Sequence, residues 1–459
     1  MLKKIIIYGI GTFFSKILVF LMLPVYTRVF SPSDYGYYDV LLANMQLIVS
    51  IAFMEVWSGI IRFMFDDEDT YTPINTFIHI LPVFMLLYAA IFFVFSRFFI
   101  IRFPLITFCY GIAYLLFYVM NSVCRGLRKN IDYAVSGAIS TVVSCAFSFL
   151  LVVVFHKGIA SLFLSLIAGY ACGVAYVELR THAVFISIKK KSSRKNYHDM
   201  LSYCFPLMIN TFSYSFMTLF NKNMIMKHLG ASVSGYYAVA EKVAVALSLA
   251  ISIYMLSWQE EAYSFAESER RSEIYSYYLN QYIKCIGLVI PIYMLVCYFI
   301  MPVISGANFV ASFELIPLFV VQVYISNLSS FLCLIISANK KSMQILVSTV
   351  FGAAANSILI YVLIPKFGIL ASNISLCVGF ATCAFARYMF ASQFARLKVK
   401  IVWHCMVILE FVLAYVLFRL DKPLFIFVST VAFCLIWFLA NFEMVKGYGQ
   451  KALRKGVVR

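Results

Sequence analysis

The chain has 459 residues, 63% of them hydrophobic and 12% charged, about half the ~25% charged share of a water-exposed domain. That excludes a soluble globular protein of this length, because too few charges exist to coat its surface. The net charge of +17 is no nucleic-acid signal; it reads as the bias of positive residues to the cytoplasmic side of a membrane, with anionic lipid headgroups as partners there.

The apolar residues come in runs of roughly 20, the length that crosses a ~30 Å hydrocarbon layer as a helix. Alternating apolar and polar positions, the mark of a membrane barrel, are absent. The predicted class is therefore an all-α, polytopic integral membrane protein. In chain order the expected spans are 5–28, 36–58, 75–96, 103–124, 132–155, 159–180, 202–226, 236–258, 279–302, 311–335, 344–364, 369–391, 401–419 and 424–442, about fourteen helices. The first run continues to about Arg28, too long for a signal-peptide core, and is read as an uncleaved helix. Of the Lys and Arg residues between spans, 25 fall on one side and 8 on the other. This predicts that both termini lie in the cytoplasm.

The chain repeats itself. Asp34-Tyr-Gly-Tyr-Tyr-Asp-Val40 recurs as Val233-Ser-Gly-Tyr-Tyr-Ala-Val239, an offset of 199. His156-Lys-Gly-Ile-Ala-Ser161 returns as Lys366-Phe-Gly-Ile-Leu-Ala-Ser372 with one inserted residue. Even numbers of helices separate the copies, so the halves are parallel repeats. The expected organisation is a lobe of six helices over 1–199, a second over 200–392, and two further helices with a basic tail over 393–459. A two-lobed transporter carries its substrate path between the lobes, which makes the first two helices of each half its candidate walls.

Charges inside spans are the pointers to function, since each costs about 2.5–3.5 kcal/mol at the bilayer centre. Gly9, Thr12 and Lys16 form one narrow polar stripe on the first helix. Thr211, Ser215, Thr218 and Lys222 form a longer stripe on the seventh. Such a face has to meet water, a ligand or another polar face, and a plain helix–helix hydrogen-bond seam competes with the cavity reading for its Ser and Thr residues. Asn44 and Glu55 share one face of the second helix at i and i+11, with an ion pair from Glu55 to Arg62 as the ordinary account. Glu241 and Lys242 lie in the eighth and point about 100° apart, so they pair poorly with each other. Gly169 and Gly173 read as close helix packing; Pro206 is either a bend or first-turn capping. No P-loop or H-E-x-x-H sequence is present. The Asp67-Glu68-Asp69 run reads as a solvated loop, the six histidines form no cluster, and no metal site or cofactor is expected.

Lys16, Leu23-Pro-Val-Tyr-Thr-Arg28, Ser31-Pro-Ser-Asp-Tyr-Gly-Tyr37 and Ile61-Arg-Phe63 resemble the Wzx-type oligosaccharide flippases of the multidrug/oligosaccharidyl-lipid/polysaccharide exporter superfamily. In the second half the resemblance continues through Phe205-Pro-Leu207, Gly230 and Gly235-Tyr-Tyr-Ala-Val-Ala-Glu-Lys242. It implies export of an undecaprenyl-diphosphate-linked oligosaccharide for O-antigen, capsule or a similar polymer, with a polymerase and export machinery as further partners. It also implies a cation-lined cavity, for which Lys16, Arg28, Lys222 and Lys242 are the candidates, with Thr12, Thr218 and Asn44 as polar neighbours. Glu55 and Glu241 are the candidate carriers of a coupled proton or sodium ion. Lys16 has no counterpart in the second half, where Ser215 stands at that offset. Three rivals remain: a multidrug exporter of the same fold, a membrane-embedded polymerase or acyltransferase, and a scaffold of an export complex.

Overall fold

The computed structural model describes residues 17–66, 70–339, 341–420 and 423–440. Thr12, Lys16 and the run Asp67–Asp69 lie outside these residues. The described chain is helical and carries no strand. Eight of its helices are long and apolar enough to cross a membrane, or nine if one bent pair counts as a single span.

The first helices are α1 (Leu23–Val29), α2 (Pro32–Ala52), α3 (Val56–Asp66), α4 (Thr72–Phe98), α5 (Pro104–Gly126) and α6 (Asn130–Phe149), the last continued by a π turn. Next come α7 (Ala160–Thr181), the short α8 (Ala183–Ser187), α9 (Arg194–His228), α10 (Ala231–Ser264) and α11 (Arg271–Ile304). A 3-10 segment (Ala307–Leu315) leads into α12 (Ile316–Ala338), α13 (Ser342–Phe367), α14 (Ile369–Ser392), α15 (Ile401–Leu420) and α16 (Pro423–Ala440).

Three expectations are corrected. The span 36–58 is not one helix: α2 and α3 meet at a 48° bend, where Met54 and Glu55 adopt left-handed φ values of 50° and 55°. Asn44 and Glu55 therefore do not share a face of a continuous helix. Pro206 lies inside α9, which begins at Arg194, and so is not a first-turn cap. Arg387, one of the 25 Lys and Arg residues assigned from the sequence to the cytoplasmic side, is buried within α14. It donates to the backbone oxygen and hydroxyl of Ser329 and to the hydroxyl of Ser348.

The chain forms two compact units. The first comprises Met1–Val239, Ser305–Phe309 and Thr349–Gly379. Within it the two copies of the Gly-Tyr-Tyr repeat touch. A β-carbon on Gly36 would stand 2.2 Å from the backbone oxygen of Ala231, and one on Gly235 would stand 2.0 Å from that of Pro32. Only glycine allows the first turns of α2 and α10 this close. Gly169 packs in the same way on the backbone of Ser140, the helix contact its spacing predicted.

The second unit comprises Ala240–Ile304, Val310–Ser348 and Phe380–Arg459. Its core is aromatic. Trp258 stacks on Phe331 at 4.2 Å and donates its indole N–H to that residue's carbonyl, so both halves of this amphipathic ring are satisfied. The strand-like connector before α15 runs along α11, where the hydroxyls of Ser272 and Ser276 and the amide oxygen of Asn280 accept the backbone N–H groups of Arg396, Lys398 and Lys400.

Candidate functional site

Inside the first unit lies a cavity of about 290 Å³. It is walled by Ala43, Gln46, Leu47 and Ser50 of α2, Glu55 and Trp57 at the bend, Tyr114 of α5, and Thr211, Ser215, Thr218, Leu219 and Lys222 of α9. The whole stripe expected on the seventh span faces this space. Helical periodicity brings the four α9 residues to one side.

The bend supplies the second wall. In an unbroken helix residues 55 and 57 would point about 200° apart. The left-handed turn at Met54 and Glu55 brings both into one cavity. Non-glycine residues pay roughly 1–2 kcal/mol each for this conformation, and local hydrogen bonds offset it. Ser50 and Ser58, on either side of the break, donate their hydroxyls to the two Glu55 carboxylate oxygens at 2.7 and 3.5 Å. The expected partner Arg62 is on the exposed face of α3.

Lys222 is 9% exposed, too deep to reach the surface. Its ammonium lies 2.8 Å from the Asp39 carboxylate, and Asp39 is itself buried. Two charges this deeply buried hold each other; breaking such a pair leaves an uncompensated ion.

The other expected site residues lie elsewhere. Asn44 forms a reciprocal amide pair with Asn223 at 3.1 and 3.2 Å, tying α2 to α9 beside the cavity. Arg28, Glu241 and Lys242 are not among its walls; Arg28 is exposed, and Glu241 and Lys242 are partly exposed on α10. Sequence reasoning missed Asp39, Gln46, Trp57 and Tyr114. Among the described residues no group of His, Cys, Asp and Glu is arranged to hold a metal ion.

The opposite face of α9 is closed. The Asn221 amide is shared among the backbone oxygen and hydroxyl of Ser372 and the hydroxyl of Ser375. Asn356 donates to Asn221 and to the backbone of Met217. Below this network Met224 packs with Ile360, Ile364 and Ala371.

A family model described as polysaccharide biosynthesis protein matches residues 1–258. No curated protein matches the chain by sequence. Solved structures do match its fold. The lipid II flippase MurJ in an inward closed conformation is 15% identical, with a TM-score of 0.70 over 96% of this chain and all of that one. An inward-facing multidrug resistance MATE family transporter of the MOP superfamily is 13% identical, with a TM-score of 0.65 over 82% of this chain and 94% of that one. A MOP superfamily transporter from Pyrococcus furiosus is 12% identical, with a TM-score of 0.55 over 85% and 95%. These identities carry the fold and nothing finer.

Proposed function

Because the chain belongs to the polysaccharide biosynthesis protein family, we propose that it moves an undecaprenyl-diphosphate-linked oligosaccharide from the cytoplasmic to the outer leaflet of a bacterial cytoplasmic membrane. The supporting observation is the polar cavity set among apolar helices, with Gln46, Glu55, Thr211, Ser215, Thr218 and Lys222 on its walls. A sugar headgroup cannot cross hydrocarbon without something to replace its water. The cavity offers hydroxyl, amide and charged groups for that purpose while the lipid tail stays in the bilayer. In this reading the two repeats, 1–199 and 200–392, rock to open the cavity to each side in turn. An interior-negative potential drives a diphosphate outward by about 2.3 kcal/mol per charge per 100 mV. Lys16 and Arg28 are the cations proposed to meet the diphosphate, Lys242 a further one on the path, and Glu55 or Glu241 the carrier of a coupled proton or sodium ion. Anionic lipids bind the basic cytoplasmic face, and a polymerase takes the delivered repeat unit.

The second reading, a multidrug exporter, draws on the MATE fold likeness. The cavity wall carries both the Glu55 carboxyl group and the Lys222 ammonium paired with Asp39, so the two readings are separated by transport itself. The deciding experiment is reconstitution into liposomes with a fluorescent lipid-diphosphate saccharide. Flipping by the wild type and its loss in Lys16→Ala are expected. Efflux of cationic dyes by a folded protein that leaves the lipid saccharide in place would transfer the assignment to the exporter.

A further inference from the structure

We propose that the cavity at the α2–α3 bend is a subsite for a single sugar ring, selective for neutral or amino sugars over uronic acids. The proposal rests on the transport reading for its context and on the cavity's own chemistry for its content.

Two aromatic side chains, Trp57 and Tyr114, form part of the wall. Tyr118 braces both, with its ring centroid 5.8 Å from Trp57 and 4.4 Å from Tyr114. Their faces carry the negative end of the ring quadrupole and so suit the weakly positive C–H face of a pyranose. Glu55 receives hydroxyls from Ser50 and Ser58 and further side-chain hydrogen bonds from Trp57 and Thr211, so it stands as a fixed acidic group whose lone pairs are held by the wall itself. Thr218 donates its own proton to the backbone oxygen of Ser215, which leaves its lone pairs for a ligand. The ammonium of Lys222 is engaged by Asp39. An acidic group and the lone pairs of Thr218 next to aromatic planes fit a ring that offers O–H or N–H donors and no carboxylate. Glu55 repels the carboxylate of a uronic acid. The volume of about 290 Å³ is at the low end of small-ligand sites, ~300–1,000 Å³: room for a ring or two, not for a whole repeat unit.

The test has two arms on the full chain. Saturation-transfer NMR on protein in nanodiscs uses methyl glucoside, methyl glucosaminide, methyl glucuronide and tetraethylammonium as probes. The first two are expected to receive saturation at their C–H protons, weakened about fivefold in Trp57→Ala and restored in Trp57→Tyr. Glu55→Gln should weaken the glucosaminide more than the glucoside. Equal signals in wild type and Trp57→Ala, a stronger signal from the glucuronide, or binding of tetraethylammonium without either glycoside would each overturn the subsite. In the second arm, proteoliposomes receive the lipid diphosphate with and without its sugar. Wild type should favour the sugar-bearing form, and Trp57→Ala should lose that preference. If both lipids flip equally fast in wild type, the subsite falls and the transport reading stands. If neither flips while the Trp57-dependent glycoside signal persists, the subsite stands and the transport reading falls.

Discussion

On one side of α9, Thr211, Ser215, Thr218 and Lys222 face open space. On the other, Asn221 and its neighbours are consumed by hydrogen bonds to Asn356, Ser372 and Ser375. The same helix thus carries a wet polar face and a dry one, a register step apart. Buried polar groups pay for themselves only when satisfied, so the dry face contributes specificity of packing. The other face turns its polar side chains toward a space that something can enter. Substitutions should sort by face: those on the dry side lower stability, and those on the wet side alter transport.

The largest effect should come from the ion pair that borders both regimes. Asp39→Asn is expected to destabilise by about 3–5 kcal/mol, because it strands the Lys222 ammonium; the Asp39→Asn, Lys222→Met double variant should recover most of that in detergent thermal unfolding. A single variant as stable as the double would mean that water already solvates Lys222. Next is the dry face: Asn221→Ala leaves the amide of Asn356 and two serines short of partners and should cost about 1–3 kcal/mol, with the flipping rate per folded molecule retained. Gly235→Ala forces a methyl onto the backbone of Pro32 and should cost a similar ~1–3 kcal/mol, read as a lowered unfolding temperature. Smallest in stability is Thr218→Val, within about 0.5 kcal/mol, yet it should slow flipping of the lipid saccharide. Unchanged flipping together with a lowered melting point would move Thr218 to the dry side of the comparison.

Much of this was legible beforehand. Hydrophobic run lengths located the helices, and the i, i+4, i+7, i+11 spacing found the wet stripe on α9, since both depend only on local periodicity. Asp39 was within reach: it lies inside the expected span 36–58, where a charge needs a reason, but its partner is 183 residues away. Trp57 and Glu55 were not recoverable as neighbours. Their convergence requires left-handed turns at Met54 and Glu55, and neither residue type announces that conformation. Asn221 was passed over because a lone amide in an apolar run is equally consistent with many packings, and only the partners on α13 and α14 decide among them.

The glycine contact between α2 and α10 has one more implication. Where main chain meets main chain, no side-chain rotamer is present to give way. Gly36 and Gly235 therefore fix the spacing of the two helix starts without any adjustable side chain between them. A single methyl at either position would act as a wedge, driving the two backbones apart at that point.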